Sequence, residues 1–271
     1  MSGVGIAVSG LWALAMLCSN AVLYLFGLPW LAVALPSGWA LLSPAVKSDM
    51  EIVWLGHSCF RIRGKKATIV TDPFDETLGY PMRKPNASIV TVSHSHPQHS
   101  FVDGVAGSPR VVRRPGEYDI SNVFINGIAT FHDKEKGAQR GKNTVFFIEI
   151  DEVKVCHLGD LGHVPTSEQV EQMSGTDILM VPVGGVSTLD AAAAAETIGL
   201  LEPKLVIPMH YKTEVVKMEL EPLEHFIKQM GLKEVVTQPK LSVTKSTLPP
   251  ETKVLLLDYR RESAQEPGKP E

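Results

Sequence analysis

Charge is missing from the start of this chain. Residues 1–46 hold no Asp, Glu, Lys or Arg, and the first charged residue is Lys47. From Val4 to Leu35 the run is mostly apolar, interrupted by Ser9, Ser19, Asn20 and Pro29. A membrane span needs about 20 apolar residues, so one span fits, broken near Cys18–Asn20, and a tight hairpin fits less well. A secretory signal would use Ala32-Val33-Ala34 as its cleavage-like site, but the usual basic start is absent. A plainer reading is an upstream extension from a misassigned start codon, because Met50 is followed at once by the strand-like EIVWL. The expectation for residues 1–49 is an uncharged apolar extension, either a membrane anchor or a misassigned start, separate from the chemistry.

Cysteine is also scarce. There are 3, Cys18, Cys59 and Cys156, with no CxxC pair. An odd count without pairing excludes a disulfide framework and suits a reducing compartment. The expected location is cytoplasmic, with membrane anchoring only through residues 1–49. Cys59 and Cys156 fall inside apolar runs and read as core residues. A basic excess is lacking as well: the net charge is -4. That excludes a strongly basic nucleic-acid-binding surface. No GxSxG is present, so a serine nucleophile of that type is excluded, and no solenoid-like repeat appears.

The chain of 271 residues has room for one large domain with an appendage. After Met50 it breaks into short apolar runs. Glu51–Leu55, Cys59–Arg63 and Ala67–Thr71 read as a meander of hairpins. Ala87–Val92 is a strand that runs into a histidine cluster. Val123–Phe131 is strand-like, with a break at Asn126-Gly127. Thr144–Ile150 and Val153–His157 form a hairpin around Asp151-Glu152. Helices follow at Pro165–Met173, Thr188–Leu201 and Glu221–Met230, with strands at Lys204–Pro208 and Lys253–Leu257. Sheets covered by helices fit this order. The domain should run from 50 to 260, and the tail, 261–271, should be disordered.

The cluster is SHSHPQHS, residues 93–100. Strand alternation places His94 and His96 on one face. Pro97 stops the strand, and the turn brings His99 back to the same point. Three exposed loop histidines would be the bland reading. With 9 histidines in the whole chain, a shared transition metal explains the clustering better. Further ligands sit just past apolar runs: His132 after ATF, Asp160 in HLGDLGH, and His210 in VIPMHYK. Loops at one edge of a sheet are where distant ligands meet.

HxHxxH, then a later His, a GD pair and a final His after a strand resembles the metallo-β-lactamase superfamily. The flanks WLGHSCFRI, TDPF, GKNTVF, HLGDLGH, PVGG and IPMHYKT are similar to a branch near the ascorbate-6-phosphate lactonase type. The resemblance covers about residues 50 to 215. It implies an αββα sandwich with a metal site at the edge of two sheets. It further implies that His94, His96 and His132 hold a first ion, His99 and His210 a second, and that Asp160 bridges both. Asp72 matches a position near the site and is expected to orient a ligand histidine. The family usually has Asp where this chain has Gln98. An amide offers an oxygen but neither charge nor a proton acceptor, so the second half-site should be weaker or retuned.

The activity implied is a metal-dependent hydrolase that uses a metal-bound hydroxide on a small-molecule ester, lactone or phosphoester. Bound Zn2+ can bring water to a pKa of about 7. The expected cofactor is Zn2+ or Mn2+, one or two ions per chain. The expected partner is a small-molecule substrate, with no nucleic acid; the oligomeric state is left open. Asp160, Gln98 and His163 are the candidate catalytic residues. His163, Tyr211, Lys212 and His57 are candidates for protonating the leaving group, although for His57 and His157 structural hydrogen bonding is preferred. The competing class is a non-catalytic metal-binding or sensor module in which Gln98 marks lost catalysis. A redox diiron protein of the same fold would want Glu at position 96, where His96 stands.

Overall fold

The structure is a computed structural model that describes residues 49–81 and 84–262. The apolar extension expected over residues 1–49 lies outside the described residues apart from Asp49. So does the tail beyond Glu262. Among the described residues, no helix is long and apolar enough to cross a membrane.

Alternating and continuous apolar runs build two sheets. Strands β1 (Met50–Gly56), β2 (Cys59–Arg63) and β3 (Thr68–Thr71) form the expected antiparallel meander, with Ile52 opposite Ile62 and Arg61 opposite Val70. Strands β4 (Ile89–Thr91) and β5 (Arg110–Val112) continue it in parallel. Strands β6 (Gly116–Ile120), β7 (Val123–Phe131), β8 (Lys142–Ile150) and β9 (Val153–His157) are antiparallel. Positive φ at Ser121 (55°) and Asn122 (64°), and at Asp151 (50°) and Glu152 (71°), is the two-residue turn geometry that matches strand twist.

Helix α1 (Ser167–Gln172) then leads to β10 (Ile178–Pro182), α2 (Ala191–Leu201), β11 (Leu205–Met209) and α3 (Leu223–Gln229). Strands β12 (Val236–Gln238), β13 (Leu241–Val243) and β14 (Lys253–Leu257) and helix α4 (Tyr259–Glu262) complete the chain. The first sheet runs β13-β1-β2-β3-β4-β5, and the second β12-β14-β11-β10-β9-β8-β7-β6. One apolar cluster draws on both, with Phe60, Ile62 and Ile69 from the first and Phe146, Ile148 and Val155 from the second. Helices α2 and α3 pack together with α2 on β10, and α4 lies on β1. This is the mixed α/β two-sheet architecture expected from the sequence.

Strands β10 and β11 are buried at every position, as parallel strands covered on both faces must be. Helix α2 starts at Ala191, three residues later than the alanine-rich stretch suggests. Asp190 is its cap, accepting the Ala193 N–H at 2.8 Å.

The topology brings the candidate residues together. Strands β3 and β4 are parallel, and β1 shares their direction because β2 runs opposite to both neighbours. The same rule aligns β7, β9, β10 and β11. Within each sheet, the C-terminal ends of these strands therefore share an edge. His57, Asp72, the 93–99 turn, His132, Asp160 and His210 each follow one of those ends.

Two local expectations change. Strand β4 stops at Thr91, so His94 stands on a bend and His96 on irregular backbone, not on an alternating strand. Strand β7 is unbroken: Asn126 faces Phe147 and Gly127 faces Phe146.

Close backbone approach holds the loops in place. A Cβ on Gly162 would collide with the His132 backbone, and a Cβ on Gly184 with the His210 carbonyl. Gly184→Ala should therefore lower stability by about 1–3 kcal/mol through overpacking. Thermal melting checks this, and an unchanged midpoint would mean that the 210 loop yields freely.

Candidate metal centre

Asp160 is the hub. It is 3% exposed, and its Oδ2 lies 3.2 Å from His99 Nε2, 3.3 Å from His210 Nε2, 3.4 Å from His132 Nε2 and 3.9 Å from His94 Nε2. His96 completes the cluster beside His94, with ring centroids 5.9 Å apart and the rings 28° from parallel. The turn that returns His99 is closed by its N–H to the His96 carbonyl at 2.9 Å. All six residues named from the sequence thus meet at one place.

Asp72 sets the orientation of two rings. Its Oδ2 faces His99 Nδ1 at 3.1 Å and accepts the Ser93 hydroxyl at 2.6 Å. Its Oδ1 takes the Ser93 N–H at 2.8 Å. With its proton given to Asp72, Ser93 Oγ accepts from His94 Nδ1 at 3.0 Å. In each neutral ring the proton is thereby kept on Nδ1, so that Nε2, once free of a proton, turns its lone pair inward as a ligand must. Sequence reasoning singled out Asp72 but not Ser93.

Two further residues fix Asp160, and neither was singled out. Ser58 Oγ donates to Asp160 Oδ1 at 3.5 Å. Asn143 Oδ1 accepts the Asp160 N–H at 3.0 Å, while Asn143 Nδ2 donates to the Leu158 carbonyl at 3.0 Å and to Thr130 Oγ1 at 2.8 Å. Both lie in quoted motifs, WLGHSCFRI and GKNTVF, which was their only signal.

The electrostatics follow from burial and this geometry. Burial opposes a proton on His99, but the Asp160 and Asp72 carboxylates outweigh it and raise its pKa to about 10. Burial dominates at His94, lowered to about 4, and also lowers His96 and His132. Asp160 is buried against its charge, yet His210 and His99 hold it well below the usual carboxylate range. A site that gathers positive charge around two buried carboxylates is equally a site for a cation.

The residues fit a metal ion on their own terms. One donor atom each from His94, His96 and His99 lie within 4.8 Å of one another; so do those from His94, His132 and Asp160, and from His57, His99 and His210. Among the described residues, His94 Nε2 and Gln98 Oε1 are buried without a hydrogen-bond partner. Imidazole with carboxylate suits Zn2+ and other first-row divalent ions. The triplets cut across the two-ion division that the resemblance implies, because His99 belongs to two of them.

The cluster floors a cavity of about 310 Å3, walled also by Gln98, Arg140, Ser187 and Met218. Such a volume suits a small molecule. Arg140 is placed by a loop built on Asp133, whose carboxylate accepts the N–H groups of Glu135, Gly137, Gln139 and Arg140 at 2.7–3.1 Å. None of the four expected proton donors lines this cavity. His163 spends Nδ1 on the Val164 carbonyl (2.8 Å) and Nε2 on the Phe131 N–H (3.3 Å). Lys212 donates to the carbonyls of Val216 and Met218. Tyr211 is buried beside Trp54, at 5.3 Å between ring centroids. His157 donates Nε2–H to the Ser58 carbonyl at 2.8 Å, whereas the His57 ring has no hydrogen-bond partner among the described residues.

Comparison with known proteins places this geometry. Residues 51–210 match the family model described as a beta-lactamase superfamily domain. A UPF0173 metal-dependent hydrolase of Thermoplasma volcanium is 30% identical over 201 residues, 63% of this chain and 88% of that protein. A crystal structure from Thermotoga maritima, described as a candidate Zn-dependent hydrolase of the metallo-beta-lactamase superfamily, is 42% identical. It has a TM-score of 0.65 over 77% of this chain and 98% of that one. A metallo hydrolase of Ignicoccus hospitalis shares the fold at 19% identity and a TM-score of 0.53, over 78% of this chain and 96% of that one.

Asp72→Asn reverses one hydrogen bond: its Nδ2 would donate to His99 Nδ1 and push the ring proton onto Nε2. Metal affinity should fall about 10–100-fold with the fold retained, measured by metal titration alongside circular dichroism. Unchanged affinity would remove Asp72 from its orienting role.

Proposed function

The chain belongs to the metallo-β-lactamase superfamily, and on that footing we propose that it is a metal-dependent hydrolase of a small, anionic ester, lactone or phosphoester. The observation that carries this reading is Asp160 Oδ2, 3.2–3.9 Å from four imidazole nitrogens at the floor of a cavity open to a small molecule. His94, His96, His99, His132, His210 and Asp160 would hold one or two divalent ions, Zn2+ or Mn2+. The chemistry supplied there is general: water acidified toward a pKa of about 7 and a polarised carbonyl or phosphoryl oxygen.

The rest falls to the chain's own residues. Asp160 stays ionised between His210 and His99 and keeps negative charge at the centre. Gln98 adds a neutral oxygen to the wall and takes up no proton, so Asp160 is the carboxylate of this cavity. Arg140 is the one Lys or Arg in the described wall. Its guanidinium attracts an anionic substrate and orients it by paired donors. Ser187, Arg140 and the amide nitrogen of Gln98 are the wall's non-histidine side-chain donors for a departing oxygen. The absence of His163, Tyr211 and Lys212 from the wall favours substrates whose leaving group needs little help.

A second reading, a sensor that binds metal without turnover, draws on the unpartnered Gln98 oxygen. One experiment separates the two. Full-length protein loaded with Zn2+ or Mn2+ is screened against lactones, phosphomonoesters and phosphodiesters. Turnover that disappears in Asp160→Ala and on chelation supports the hydrolase. Loaded protein with no turnover on any class supports the sensor.

On an anionic substrate, Arg140→Ala should raise KM about tenfold or more with kcat little changed, because a hydrogen bond to a charged group contributes about 1.5–3 kcal/mol. An equal effect on a neutral ester of the same shape would contradict the charge-recognition role.

A further inference from the structure

His157 and His57 are the buried histidines near the centre that the expected ligand set leaves out; His157 spends Nε2 on the Ser58 carbonyl, which leaves His57. It is 0% exposed, and neither Nδ1 nor Nε2 has a hydrogen-bond partner among the described residues. A polar group buried in that way keeps its full desolvation cost. Its backbone is nonetheless held firmly. His57 has φ 53°, a left-handed conformation, at the end of β1. Its carbonyl accepts Trp54 Nε1–H at 2.9 Å and the His210 N–H at 3.2 Å. The ring is thereby fixed against the centre, with its centroid 4.0 Å from that of His210 and 4.9 Å from that of His99.

We propose that His57 is a metal ligand, joining His99 and His210 as the third imidazole of the ion that those two hold. The inference rests on the metal-binding reading above and adds a residue to it. One nitrogen from each of the three rings lies within 4.8 Å of the other two, close enough for a single cation to be shared. A lone pair offered to a cation relieves the burial of an otherwise unpartnered nitrogen. The donor set also accounts for Gln98: a third imidazole fills with a neutral ligand the coordination that a neutral amide holds weakly. The bland alternative is that His57 only stacks on His210 to orient it, and phenylalanine would serve that role as well.

The test uses the full chain and reads metal, not turnover. Wild type and His57→Phe are stripped, reloaded with Co2+, and compared for ions bound per chain and for the visible spectrum of the cobalt. The expected result is a loss of one bound ion in His57→Phe, or a fall of at least tenfold in the affinity of one ion with an altered spectrum. His57→Phe combined with Gln98→Asp should regain the lost affinity. Identical stoichiometry, affinity and spectrum in His57→Phe overturn the inference and leave the proposed function standing. Wild type that takes up no ion overturns both. Should His57→Phe fail to fold, the nitrogen-labelled wild type loaded with cadmium decides. A scalar coupling between cadmium and a His57 ring nitrogen supports the assignment, and coupling confined to the other histidines overturns it.

Discussion

Four imidazole nitrogens crowd one carboxylate oxygen in the interior of this protein, and the surrounding structure exists to make that arrangement tolerable. Buried charge is costly unless it is paired and hydrogen-bonded. Asp160 meets that condition through His99 and His210 on Oδ2, Ser58 on Oδ1 and Asn143 on its backbone N–H. Asp72, fully buried, meets it through His99 and both polar groups of Ser93. The two carboxylates flank His99 from opposite nitrogens. Each histidine nitrogen that faces a carboxylate has its direction chosen before any ion arrives, which limits the reorganisation that binding requires.

The sheets supply the rest of the geometry. Six segments separated by up to about half the chain converge because strands of like direction end at one edge in each sheet. The connecting turns are tight. Glycines at 162 and 184 let the loops carrying Leu161 and Gly185 pass against the backbones of His132 and His210. Strand ends and the short turns that follow them position the donors.

Much of this was legible in the sequence, and the reasons differ by element. The hairpin strands showed because their turns and alternation are local. The six donors showed because HxHxxH is compact and the remaining three follow apolar runs. Strand β10 was passed over: ILMVP is a continuous apolar run without alternation, ambiguous between strand and buried helix. The edge strands β6 and β12 were missed because GEYDI and VTQ are largely exposed and carry no apolar face. The supporting residues Ser58, Ser93 and Asn143 were hidden for another reason. Serine and asparagine are common everywhere, and only the fold brings Asn143 next to Asp160. His163 looked available from its GH neighbourhood, but its two backbone partners come from Phe131 and Val164, which no local pattern announces.

Three residues of the centre, His57, Asp72 and His210, take left-handed backbone conformations with φ of 53°, 39° and 52°. For a residue with a Cβ, such a conformation costs about 1–2 kcal/mol, and glycine would adopt each without strain. The side chains hold these turns in place against that preference. Asp72 binds His99 and both polar groups of Ser93, and His210 pairs with Asp160, so a glycine at either position would relax the turn yet strand a buried partner, at a cost of about 3–5 kcal/mol. The contorted backbone is thus secured by the very charges it brings together.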